Sequence, residues 1–173
     1  IGPILLAGSM SINDIVKAQM PVWFIFLFPI GPLSAMIYMI SALAEINRPP
    51  FDMPEAEQEL TAGYHVEYSG MKFALFMMTE YIKAIVVSVI AAALFFGGYH
   101  GPFVDQFPWL GPIYLFAKVF VLLFGIIWVR ATIPRIRYDR LMALGWKVLL
   151  PLALLNVFLT AVAVILFPGL GGG

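Results

Sequence analysis

Cysteine is absent from the 173 residues. That excludes disulfides, and it excludes zinc or iron–sulfur centres held by thiolates of this chain. Histidine occurs twice, at His65 and His100. The long apolar segment between them is expected to place them on opposite sides of a membrane, so a bis-histidine haem is not expected and any electrons involved must arrive from another subunit. Charge is scarce: 12% of residues are Asp, Glu, Lys or Arg, against 62% hydrophobic. A soluble domain of this length needs far more polar surface. No basic n-region marks a signal peptide. No matching halves support an inverted-repeat transporter, and GGYHG lacks the strand–helix context of a phosphate loop.

What the chain has instead is long apolar runs. Val22–Ala44 and Val148–Phe167 carry no charge, and Met71–Phe96 and Gly111–Val129 carry few. About 20 apolar residues at 1.5 Å rise cross the hydrocarbon core. The expectation is an all-α integral membrane protein, a polytopic helical bundle forming one membrane domain over 1–173. Its four transmembrane helices lie at 22–44, 71–96, 111–129 and 148–167. Ile1–Ala7 reads as the end of an earlier apolar helix. Ser11–Gln19 reads as a short interfacial stretch that Ser11 or Asn13 caps. Pro29 and Pro32 predict a kink in the first span. Trp23, Trp109, Trp128 and Trp146 lie near span ends, as an interfacial belt requires.

Two connecting segments have opposite character. Residues 45–70 form an acidic loop, and residues 130–147 a basic one. In the basic loop Arg130, Arg135, Arg137, Arg140 and Lys147 oppose a single acid, Asp139. The positive-inside rule puts that loop in the cytoplasm, and the acidic loop two crossings back on the same side. The two loops either attract each other or both face a partner protein.

The acidic loop opens AEINRPPFDMPEAEQEL, with Glu45, Asp52, Glu55, Glu57 and Glu59 inside fifteen positions. Asp52 and Glu55 fit a capping box, which accounts for those two without any chemistry. Glu45, Glu57, Glu59 and Glu67 are left over. Glu55 and Glu59, four apart on a short helix, repel unless one is protonated or a cation is near, and clustered carboxylates exchange protons. Arg48 is the local counter-charge. Two more charges fall inside apolar spans. Glu80 lies roughly 14 Å along the second, with Lys83 three residues on as a pairing partner. Lys118 lies about two turns into the third. Intramembrane acids are functional candidates by default; for Lys118, snorkelling to the interface and membership of a proton relay both stand.

The run AEINRPPFDMPEAEQELTAGYHVEYSGMKFALFMMTEY closely resembles the quinone-site membrane subunit family of respiratory complex I. This is the H subunit of bacterial NADH:quinone oxidoreductase, whose mitochondrial counterpart is the first ND subunit. RATIPRIRYDRLMALGWKVLLPLALLN resembles the family's basic loop and following helix. The matches follow family order and imply that the chain is the C-terminal half of a longer subunit in the bacterial cytoplasmic (inner) membrane. The resemblance implies a proton-translocating respiratory-chain enzyme. Its quinone, ubiquinone or menaquinone, is reduced beside the cytoplasmic loops. It also implies that no cofactor is bound by this chain, with FMN and iron–sulfur clusters on partner subunits of the peripheral arm, and that small and antiporter-like membrane subunits are partners.

By matching position, the resemblance assigns proton transfer to Glu45, Glu55, Glu57, Glu59, Glu67, Glu80 and Lys118. It assigns the quinone chamber and peripheral-arm loops to Arg48, Asp52, Arg130, Arg135, Arg137 and Asp139. No redox residue and no metal are implied, and Lys83 falls outside the family pattern. Membrane subunits of energy-converting hydrogenases share the fold and an acidic loop, and a purely structural anchor is a further alternative. PPFDMPEAEQEL resembles the quinone enzyme more closely, and an anchor tolerates replacement of Glu80.

Overall fold

The computed structural model describes residues 1–20, 22–46, 50–51, 70–104, 106–134 and 136–166. Among them every regular element is helical. Two short helices, α1 (Gly2–Ala7) and α2 (Ile12–Ala18), precede a 3-10 turn at Phe24–Phe26. Then come α3 (Ile30–Glu45), α4 (Met71–Phe95), α5 (Leu110–Thr132), α6 (Tyr138–Ala143) and α7 (Leu150–Leu166). A π turn at Leu144–Leu149 joins α6 to α7.

Three helical stretches are long and apolar enough to cross a membrane: Met71–Phe95, Leu110–Thr132 and Tyr138–Leu166. Their outer faces stay uncovered, with Phe116, Phe120, Trp128, Leu154 and Phe158 all more than half exposed. Hydrocarbon or protein must cover such faces, and the chain is a polytopic membrane protein.

The first expected span takes a different form. Its helix has 16 residues, Ile30–Glu45, about 24 Å long, and the residues before it fold back as the 3-10 turn. The two prolines set this start. Pro29 stands at the N-cap and Pro32 in the first turn, where a missing N–H leaves no helical bond unmade. The fold-back also needs Gly31. Its N–H donates to Leu27 O at 2.7 Å, and a Cβ there would overlap the Phe24 carbonyl oxygen.

The basic stretch differs as well. Helix α5 runs on to Thr132, and helix resumes at Tyr138 rather than at 148. Pro151 sits just past the π turn. A proline ring crowds the carbonyl four residues back, and a widened turn before it relieves that crowding while the helix continues.

Packing follows from small residues. Ser88, Ala91 and Ala92 are buried on one side of α4, which lets α2 and α3 approach closely. Tyr38 Oη on α3 donates to Val87 O of α4 at 3.1 Å. Leu6, Ala7, Ile15 and Phe24 form one core, and Leu43, Phe51 and Ile126 form another at the far end of the bundle. Ser11 occupies the N-cap of α2 without a side-chain cap bond. Ser9 Oγ links the approach to the first turn, accepting from Ser11 N at 3.1 Å and donating to Asp14 Oδ2 at 2.9 Å.

Candidate functional site

Glu45 is the last residue of α3 and is exposed. Just beyond it the acidic stretch is tied to the basic one: Ile136 N–H donates to Pro50 O at 3.0 Å. Phe51 follows, buried between Leu43 and Ile126 with Ile136, Leu141 and Leu144 against the cluster. The apolar content of the two polar stretches therefore holds them together. Beside this junction lies an open hollow of about 380 Å³, walled by Ile40, Phe51, Leu141, Trp146 and Leu149, with Ser41 and Glu45 in its lining.

Around the junction the charges face outward. Arg130 lies in the last turn of α5, where a cation suits the helix dipole. Arg137 Nε lies 3.4 Å from an Asp139 oxygen, both side chains largely exposed. Such a pair stabilises little and leaves most of both groups available to a partner.

Glu80 is half-buried on α4 and Lys83 is exposed. Lys118 is elsewhere. Its Nζ donates to Phe96 O at 2.7 Å, Gly98 O at 3.0 Å and His100 O at 2.6 Å. Sixteen residues separate Glu80 from Phe96, about 24 Å along the helix axis. The structure thus brings Glu45 into one hollow with residues of the basic stretch, and it holds the Lys118 ammonium at the C-terminal end of α4, away from Glu80 in the middle of that helix. Gly97 and Gly98 make the lysine's socket possible. Both have positive φ, 69° and 51°, a conformation glycine adopts without steric cost. The chain turns back there, and its carbonyls converge on one point. Arg48, Asp52, Glu55, Glu57, Glu59, Glu67 and Arg135 lie outside the described residues.

Residues 1–161 match the model of the NADH dehydrogenase family. The chain belongs to that family. It is 52% identical over 158 residues to the H subunit of NADH-quinone oxidoreductase from Protochlamydia amoebophila, covering 91% of this chain and 46% of that protein. It is 49% identical over 168 residues to the corresponding protein of a Geobacillus species, covering 96% and 49%. Over 170 residues it is 49% identical to that of Thermomicrobium roseum, covering 92% and 48%. The chain spans about half the length of the curated relatives it matches. The family found is the one that the PPFDMPEAEQEL and RIRYDRLM runs resemble.

Three polar residues of this NADH dehydrogenase family member were not singled out by sequence reasoning. Gln19 is 0% exposed. Its Nε2 donates to Ile15 O at 3.2 Å and Ala93 O at 2.9 Å, while its Oε1 accepts from Gly97 N at 2.9 Å. It pins α2 to the end of α4, next to the Lys118 socket. Asn156 and Ser34 meet across α7 and α3, Asn156 Nδ2 donating to Ser34 Oγ. The available signal was an amide inside a charge-free apolar run, since polar groups at membrane depth are costly and seldom idle.

Proposed function

We propose that the chain is part of the membrane subunit of a proton-translocating NADH:quinone oxidoreductase. In this reading it helps to form the quinone chamber and passes the electrostatic consequence of quinone reduction into the membrane through carboxylates. Family membership and the NADH-quinone oxidoreductase relatives support the complex. The Ile136–Pro50 tie carries the local reading, because it brings Glu45 and the start of the acidic stretch to the basic stretch at one end of the bundle. We assign that end to the cytoplasmic side, facing the hydrophilic subunits that hold FMN and iron–sulfur clusters. The small and antiporter-like membrane subunits flank the uncovered helix faces.

The hollow beside Glu45 fits an apolar ring. Its walls are aliphatic and aromatic, with a carboxylate in the lining. Quinone, ubiquinone or menaquinone, gains up to two negative charges before protons reach it. At an effective dielectric of ~20, a unit charge about 8 Å from a carboxylate shifts its energy by roughly 2 kcal/mol. That exceeds one pKa unit. Glu45, with Glu55, Glu57, Glu59 and Glu67, would take up protons as quinone is reduced, and Glu80 would carry the change toward the membrane interior. Arg48, Asp52, Arg130, Arg135, Arg137 and Asp139 orient the loops toward the peripheral arm. Lys118 enters this reading as a clamp, since all three of its N–H groups are engaged by carbonyls far from Glu80.

The test is Glu80→Gln in the intact complex. Quinone reduction coupled to proton translocation is expected to fall at least tenfold with assembly preserved. Full coupled turnover in assembled Glu80→Gln complex would remove Glu80 from the path.

A further inference from the structure

Lys83 stands at the midpoint of α4. It lies twelve residues from Met71 and twelve from Phe95, about 18 Å from either end of the helix. None of residues 71–87 is buried, and Lys83 itself is exposed. Half of the hydrocarbon core is about 15 Å deep. A stem of four methylenes covers less than half of that, so the ammonium cannot snorkel to either headgroup layer.

The nearest counter-charge in the sequence is Glu80, three residues back. No ion pair joins the two, and Lys83 reaches no carboxylate among the described residues. The other described acids stand near the ends of the bundle: Asp14 on α2, Glu45 at the end of α3 and Asp139 at the start of α6. A cation left bare in hydrocarbon is costly, and intramembrane cations as a rule pair with acids inside protein.

The face that carries Lys83 is unsuited to acyl chains. Lys72, Phe76, Thr79 and Lys83 follow at steps of four, three and four residues, which is one helix stripe, and all four are exposed. Thr79 Oγ1 donates to Leu75 O at 2.9 Å, and its oxygen still accepts. A hollow of about 310 Å³ lies along the stripe, with Lys72, Leu75, Phe76 and Thr79 in its lining. The stripe therefore offers two cations, an acceptor and room for a neighbour's side chains.

We propose that this face of α4 docks a transmembrane helix of a partner subunit, and that the partner's helix presents an Asp or Glu near the bilayer midplane to Lys83. All three N–H groups of the ammonium are available to that carboxylate and its surroundings. Opposite charge fixes the register of the two helices, since a shift by one turn leaves both charges unpaired in hydrocarbon. The inference stands on depth and charge, and it does not depend on quinone or on how the other carboxylates handle protons.

A membrane-soluble carbodiimide tests it in the native complex. The reagent activates a buried carboxyl, and the Lys83 amine displaces the resulting urea to leave an amide bond. Mass spectrometry should find Lys83 joined to an Asp or Glu inside an apolar segment of another subunit. Lys83→Arg keeps the charge and should hold the partner subunit in detergent as wild type does, without the cross-link. Lys83→Met leaves the partner's carboxylate buried without a counter-charge, and retention of that subunit should fall about tenfold or more. A cross-link to the same subunit or to a second copy of it overturns the proposal, as does the absence of any Lys83 cross-link. Unchanged retention in Lys83→Met overturns it too. So does modification of Lys83 in the intact complex by phenyl isothiocyanate dissolved in the bilayer, which would show an uncharged amine facing lipid. None of these readouts uses turnover, so a complex that reduces no quinone would overturn the functional reading and leave the helix pairing standing.

Discussion

Lys118 Nζ stands 4.6 Å from the centre of the Trp23 ring, and the same ammonium donates to the carbonyls of Phe96, Gly98 and His100. A cation is thus held between an aromatic face and the C-terminal end of α4, where the helix dipole favours positive charge. One side chain of α5 thereby joins the 3-10 segment to the α4–α5 turn.

Lys118→Met should therefore act on stability before it acts on chemistry. Charge-assisted bonds to three carbonyls are lost, a cost of about 2–3 kcal/mol after allowing for partial exposure. The solubilised complex should unfold at lower temperature, while the surviving complex keeps its protons moved per quinone reduced. Unchanged thermal stability with lost proton movement would make Lys118 a relay.

Gln19 gives a second stability prediction. Gln19→Leu leaves the Gly97 N–H and the Ala93 carbonyl without their side-chain partner, at about 1–3 kcal/mol for each group left unsatisfied. Gln19→Glu should be worse, because an ionised carboxylate donates nothing to Ile15 O and Ala93 O and instead repels them. Limited proteolysis of membranes carrying each variant checks the order wild type, Leu, Glu. A glutamate variant as resistant as wild type would contradict this account of the contact.

Gly31→Ala places a methyl group on the Phe24 carbonyl. Backbone has to move, and the cost is about 3 kcal/mol or more. Expression and assembly should drop sharply. Normal assembly at growth temperature would mean that the 3-10 turn does not close on α3 as described.

The long helices were legible because apolar length is a local property, readable residue by residue. The family was legible because two motif runs retain their order. Other features were hidden by distance in sequence. Gln19 meets groups 74 and 78 residues away, and Asn156 meets Ser34 across 122; periodicity says nothing of such pairs. A kink follows from Pro29 and Pro32 only if they lie inside a helix, whereas both sit where a helix begins. Lys118 was recognised as unusual, yet its role depends on where three carbonyls point, which follows from Gly97 and Gly98 adopting positive φ. Of the carboxylates expected to act, Glu45 and Glu80 fall among the described residues, and only Glu45 is seen beside the basic stretch.

The most direct measurement is donor-dependent quinone reduction by the native complex, isolated in mild detergent through a tag on this chain. NADH-driven reduction, blocked by quinone-site inhibitors and accompanied by proton translocation after reconstitution into vesicles, is the predicted result. Turnover with hydrogen and a ferredoxin-type partner, and none with NADH and quinone, would contradict the account.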